Sequence, residues 1–153
     1  MFAFCSAFVQ FFSAFVGCIL WRGVLLFLYS ISGVEKMKTM LIAVCSKIIT
    51  EELVRTFQNE YVVYTCNRGD DAQRLLLELK PDILIISLSL STITGLELLQ
   101  QTEFVPPIIL ALTNYLSDFV VHEAQAAGVD ALIRLPCSID FISSRLNRLL
   151  LHQ

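Results

Sequence analysis

The side chains able to carry chemistry in this chain are few and scattered. Five cysteines stand at Cys5, Cys18, Cys45, Cys66 and Cys137, with no Cys-x-x-Cys pair and no metal-ligand spacing among them. Cys45 and Cys66 would close neighbouring strands and Cys137 would share their rim, which raises thiol redox chemistry as one reading. Buried, reduced thiols packed as small hydrophobes explain the same positions with fewer demands. Ser87 ends an apolar run and would need a base or a metal before its hydroxyl could attack anything. The two histidines do not supply one. His122 falls inside a helical stretch and His152 at the tail, both expected on the solvated surface away from Ser87, so a Ser-His-Asp hydrolase is set aside.

The 153 residues suffice for one domain with a real core. Only 16% are charged, and the mean hydropathy of +0.68 exceeds that of an ordinary soluble domain. The excess lies at the front. From Met1 to Val34 the only charge is Arg22, and seven of the 11 phenylalanines fall there. We therefore divide the chain into an apolar leader, 1–36, and a folded domain, 37–153. Phe2 to Leu20 is uncharged and long enough to span a bilayer as a helix. Arg22, Lys36 and Lys38 would then hold the domain in the cytoplasm. The competing reading is that translation starts at Met37 or Met40 and the leader is upstream sequence. A net charge of −3 leaves no basic footprint, which disfavours nucleic acid as a partner of this chain alone.

From Met37 onward, short runs rich in Ile and Val alternate with stretches of helical period, the pattern of a parallel sheet covered on both faces. The sequence predicts a first strand "TMLIAVC" ending near Cys45, then a helix capped by Ser46 and running through Gln58, with Ile49, Leu53, Val54 and Phe57 inward. The second strand is Tyr61 to Cys66, and Asp70 or Asp71 caps the helix that follows. "DILIIS" reads as a central strand ending at Ser87, and a short helix starts after Gly95. "IILALT" is the fourth strand, Ser117 starts a helix that stops at Gly128, and "ALIRL" is the fifth strand. Ser138 caps the last helix, whose apolar face includes Phe141, Ile142, Leu146, Leu149 and Leu150.

The landmarks "PDILIISLSLSTITGLELL", "PPIILALTN" and "AAGVDALIRLPCS" resemble the receiver domain of bacterial two-component response regulators across Met37 to Leu150. The resemblance implies a flavodoxin-like α/β fold, five strands and five helices with sheet order 2-1-3-4-5, and a site at the carboxyl ends of the strands. It further implies two acidic residues after the first strand, an acceptor aspartate closing the third, and a backbone carbonyl two residues later, together holding magnesium. In this sequence those acidic positions fall at Cys45 and Ser46, and the acceptor at Ser87. The family's lysine falls at Leu135, with Arg134 one residue early and directed to the other face of the strand. The switch threonine is kept as Thr113, but its aromatic partner becomes Leu132. Ser91, Thr92 and Thr94 replace the family's loop residues ahead of Gly95.

A site without carboxylates cannot offset the charge of a hydrated divalent ion, so no metal or other cofactor and no catalytic residue is expected. "CSKIIT" is too poor in Ser, Thr and Gly to cradle a flavin phosphate. The expectation is a stand-alone, degenerate receiver that is not an enzyme, is phosphorylation-incompetent, and works in the cytoplasm through a protein partner or a homodimer. By resemblance the docking face would include Val120 to Gln125, Ala131 to Arg134 and Asn147 to Leu150. The alternatives are a conventional phosphorelay receiver and, if the leader is an anchor, a membrane-tethered signalling adaptor.

Overall fold

A computed structural model describes residues 37–151. The leader, with Cys5 and Cys18, and the tail histidine His152 lie outside the described residues. Elements alternate strictly: β1 (Thr39–Ala43), α1 (Lys47–Phe57), β2 (Val62–Cys66), α2 (Gly69–Leu79), β3 (Ile83–Ser87), α3 (Gly95–Gln101), β4 (Ile108–Thr113), α4 (Asp118–Ala126), β5 (Ala131–Arg134) and α5 (Ile139–Leu150). All strands pair in parallel, in the order β2-β1-β3-β4-β5. This is the flavodoxin-like topology expected from the sequence.

The pleat sorts each strand's side chains onto two cores. Met40, Ile42, Ile85, Leu110 and Leu112 meet Leu53 and Phe57 of α1 and Ile142 and Leu146 of α5. On the other face, Leu41, Ala43, Leu84, Ile86 and Ile109 meet Ala72 and Leu76 of α2 and Leu98 and Leu99 of α3. β3 and β4 are buried along their whole length, because helices cover both of their faces. Among the described residues, no helix is long and apolar enough to cross a membrane.

The helix starts follow the expected residues with two corrections. Ser117 accepts from the Val120 N–H and Ser138 from the Phe141 N–H, each at 3.3 Å. Ser46 stands at the predicted N-cap position but makes no side-chain cap; Thr50 Oγ1 instead donates to its carbonyl at 2.9 Å. Neither Asp70 nor Asp71 caps α2. Arg68 holds the N-cap position, and both carboxylates sit in the first turn, where the helix dipole favours them and where Arg68 and Arg74 bind them. β1 stops at Ala43, two residues before Cys45, because the chain bends there toward the rim. Phe141 is 46% exposed, not inward. The stripe of Ile142, Leu146, Leu149 and Leu150 fills the seam, and Phe141 lies beside it with the Arg145 guanidinium 5.8 Å from its ring centroid. Gly128 takes the left-handed φ of 82° that the predicted helix stop requires.

Candidate functional site

The carboxyl ends of the five strands form one rim, and Cys45, Ser87 and Thr113 lie at it, whereas Leu132 sits inside β5. Ser87 ends β3 and is 8% exposed, with its Oγ accepting from the Ser89 N–H at 3.3 Å. The backbone behind it is tightly packed. A Cβ on Gly95 would stand 2.5 Å from the Ser87 carbonyl oxygen, so α3 can start against β3 only with glycine there.

Cys45 departs from the expectation of a buried thiol. It is exposed, and the bend after β1 turns its Sγ onto two backbone carbonyls, Ser89 O at 3.3 Å and Asn67 O at 3.5 Å. Ser89 O belongs to the residue two beyond Ser87, the carbonyl that the receiver resemblance assigns to a cation. Here it accepts from a thiol. Ser46, half-buried, spends its carbonyl inside α1. Magnesium demands oxygen ligands with carboxylate charge. A thiol, two hydroxyls and a carbonyl already hydrogen-bonded to that thiol do not fit it. Among the described residues, no group of three or more His, Cys, Asp or Glu side chains is placed to hold a metal ion.

Thr113 ends β4, 5% exposed, and its hydroxyl is committed locally, donating to Tyr115 O at 2.8 Å and accepting from the Tyr115 N–H at 3.2 Å. Leu132 packs on the α2–α3 side of the sheet. Leu135 packs on the α1–α5 side, and its N–H donates to Thr113 O at 2.7 Å. Arg134 is exposed, and strand alternation turns it away from the face of Leu135.

The structure adds residues that sequence reasoning missed. The segment after β3 is tied to the turn before α2: the Gly69 N–H donates to Ser91 O at 3.0 Å, and Ser91 Oγ to Asn67 O at 3.4 Å. Thr92 Oγ1 accepts from the Asp70 N–H at 3.3 Å, and its one proton is shared between Ser91 O and Asp70 Oδ1, the latter at 3.1 Å. This double contact holds Thr92 at φ 73°, a left-handed conformation that a β-branched residue adopts only under constraint. Asp70 in turn takes a bidentate bond from Arg68, at 2.9 and 3.0 Å. The Arg68 guanidinium, with help from Thr92, lowers the Asp70 carboxyl to about 2. The signal was the turn-forming composition of "NRGDD" and "SLST", which marks hydrogen-bonding loops without saying which loop meets which.

Beside β1 and β2 a groove of about 390 Å³ is lined by Cys45, Lys47, Thr50, Glu51, Cys66 and Asn67, among others. Burial, then Asp71 and Cys45, push the Cys66 thiol up to about 11, and burial also raises that of Cys137. Thiols that resist ionisation are poor nucleophiles, which weighs against Cys66 and Cys137 as attacking thiols.

No protein-family model matches the sequence, and no curated protein matches it. Solved structures do. The signal receiver domain of a Vibrio parahaemolyticus protein described as a LuxO repressor aligns at TM-score 0.69 and 16% identity, covering 76% of this chain and 92% of that one. The chemotaxis response regulator CheY4 of Vibrio cholerae aligns at 0.68 and 24%, covering 74% and 99%. The beryllofluoride-activated DrrB receiver domain aligns at 0.66 and 21%, covering 75% and 98%. At these identities the likeness establishes architecture: the chain has the fold of response regulator receiver domains.

Proposed function

We propose that this chain is a phosphorylation-incompetent receiver-type domain of two-component signalling, a binding module and not an enzyme, which acts in the cytoplasm through contact with another protein. One observation carries the reading. Where a receiver would gather carboxylates around a cation, the Cys45 thiol donates to the Ser89 carbonyl and Ser87 stands at the acceptor position. A phosphoryl donor approaching this rim would meet no clamp for its oxygens. The Ser87 hydroxyl already accepts from the Ser89 N–H and has no base beside it.

Partner binding is supported by large apolar side chains left at the surface near the start of α4, where Tyr115 is 72% and Phe119 73% exposed. The test is incubation with acetyl phosphate, or with beryllofluoride, in the presence of magnesium. The expected outcome is an unchanged intact mass and an unchanged melting temperature. A stoichiometric phosphoryl adduct, or a magnesium-dependent rise in melting temperature with beryllofluoride, would replace this reading with that of a conventional phosphorelay receiver.

A further inference from the structure

We propose that the outer edge of β2, paired with no strand among the described residues, joins the same edge of a second copy of this chain, antiparallel about a two-fold axis at Tyr64, making two sheets into one. This rests on the strand's own chemistry and is independent of whether Ser87 can be phosphorylated. β2 is an outer strand of the sheet. Its ladder to β1 runs from Val62 N–H to Lys38 O at 3.0 Å up to Val44 N–H to Cys66 O at 3.1 Å. Alternation along a parallel ladder therefore commits Val62, Tyr64 and Cys66 to β1. It leaves the N–H and C=O groups of Val63 and Thr65 aimed out of the sheet.

Outer strands are normally guarded by lysine, proline or an inward charge. The opposite outer strand, β5, is four residues long and ends in the exposed Arg134. β2 carries no such guard in its own sequence: "VVYTC" has no charge and no proline, and Val62 and Tyr64 are 42% and 40% exposed. The charges lie just beyond its two ends and are opposite in sign, Glu60 before it and Arg68 after it, both exposed.

These features are self-complementary in one register. With Tyr64 on the axis, Val63 faces Thr65 of the second copy and Thr65 faces Val63, so the outward backbone groups satisfy each other. Glu60, in the turn just before the strand, then comes to the same end as Arg68 of the second copy, within reach of its long side chain. Shifting the axis to Val63 sets Arg68 against Gln58, and shifting it to Thr65 sets Glu60 against Asp70, so both neighbouring registers lose the ion pairs. Arg68 already holds Asp70 on its own chain. Its guanidinium carries five N–H donors, enough for a second carboxylate. An isologous contact of this kind closes at two copies.

The experiment is sedimentation velocity on the full chain over a concentration series, with a charge-reversal cycle and circular dichroism on every variant. The parent is expected to dimerise. Glu60→Arg and Arg68→Glu should each weaken dimerisation by about ten-fold or more, since like charges then face each other, and the double variant should recover most of the loss. Tyr64→Cys supplies a readout that needs no charge change. A non-hydrogen-bonded antiparallel pair holds its Cα atoms about 4.5 Å apart, within disulfide reach. With Cys45→Ser and Cys66→Ser also in place, mild oxidation should give a covalent dimer linked through position 64 of both copies. A monomer at every concentration, an oligomer indifferent to Glu60→Arg, or oxidation that never joins position 64 to itself would each overturn the proposal.

Discussion

The Cys45 thiol donates to two backbone carbonyls, Ser89 O and Asn67 O, contacts that an ionised carboxylate could not make. Asp70 is the titrating element of the rim. Its carboxyl falls to about 2 in the folded chain, chiefly through the Arg68 hydrogen bonds, against about 3.9 for an unperturbed aspartate. A depressed folded value means that the tie contributes in full above about pH 4 and is lost as the pH falls through about 2. Melting temperatures measured between about pH 5 and pH 2 should therefore drop more steeply for the parent than for Asp70→Asn; parallel curves would show that Asp70 is not the group being titrated. Thiol chemistry gives a second check at this scale. Iodoacetamide at neutral pH should modify the exposed Cys45 well before Cys66, whose thiol is pushed up to about 11, as read by peptide mapping of the labelled chain.

At the scale of elements, the site depends on how α3 leaves β3. Thr94 caps α3 by accepting from the Glu97 N–H at 3.3 Å, while the Glu97 carboxylate accepts from the Thr94 N–H at 3.0 Å. This reciprocal box fixes the first turn, and Gly95 lets that turn lie against the Ser87 carbonyl. Gly95→Ala should cost about 1–3 kcal/mol in chemical denaturation, because the added methyl meets backbone that cannot rotate away. A loss below about 0.5 kcal/mol, within the range of ordinary surface changes, would mean that α3 shifts freely relative to β3. The strained Thr92 lies in the same connection, and its two bonds to Asp70 make the β3–α3 segment and the α2 turn a single unit. Glycine at 95 was legible as a helix signal; its contact with Ser87 was not, since close approach between two backbones leaves no periodic trace in a sequence.

Across the whole molecule, stability concentrates in the central strands. Ile85, fully buried in β3, should cost about 2–5 kcal/mol on replacement by alanine, whereas Val62→Thr on the outer strand should stay within about 0.5 kcal/mol, both measured by denaturant unfolding. That gradient follows from the same alternation of apolar runs that made the architecture readable: a parallel sheet covered on both faces must be written with unbroken Ile, Leu and Val in its middle strands. Element order was therefore legible in residue identity and local pattern, and the sheet order 2-1-3-4-5 was implied by the receiver resemblance. What tertiary structure alone decided was which distant polar groups meet: the Cys45 thiol on Ser89 O and Asp70 on Thr92. The physical reason is range. Hydrophobic period is a property of consecutive residues, whereas a hydrogen bond between loops more than 20 residues apart in sequence exists only once the sheet has set its strand ends side by side.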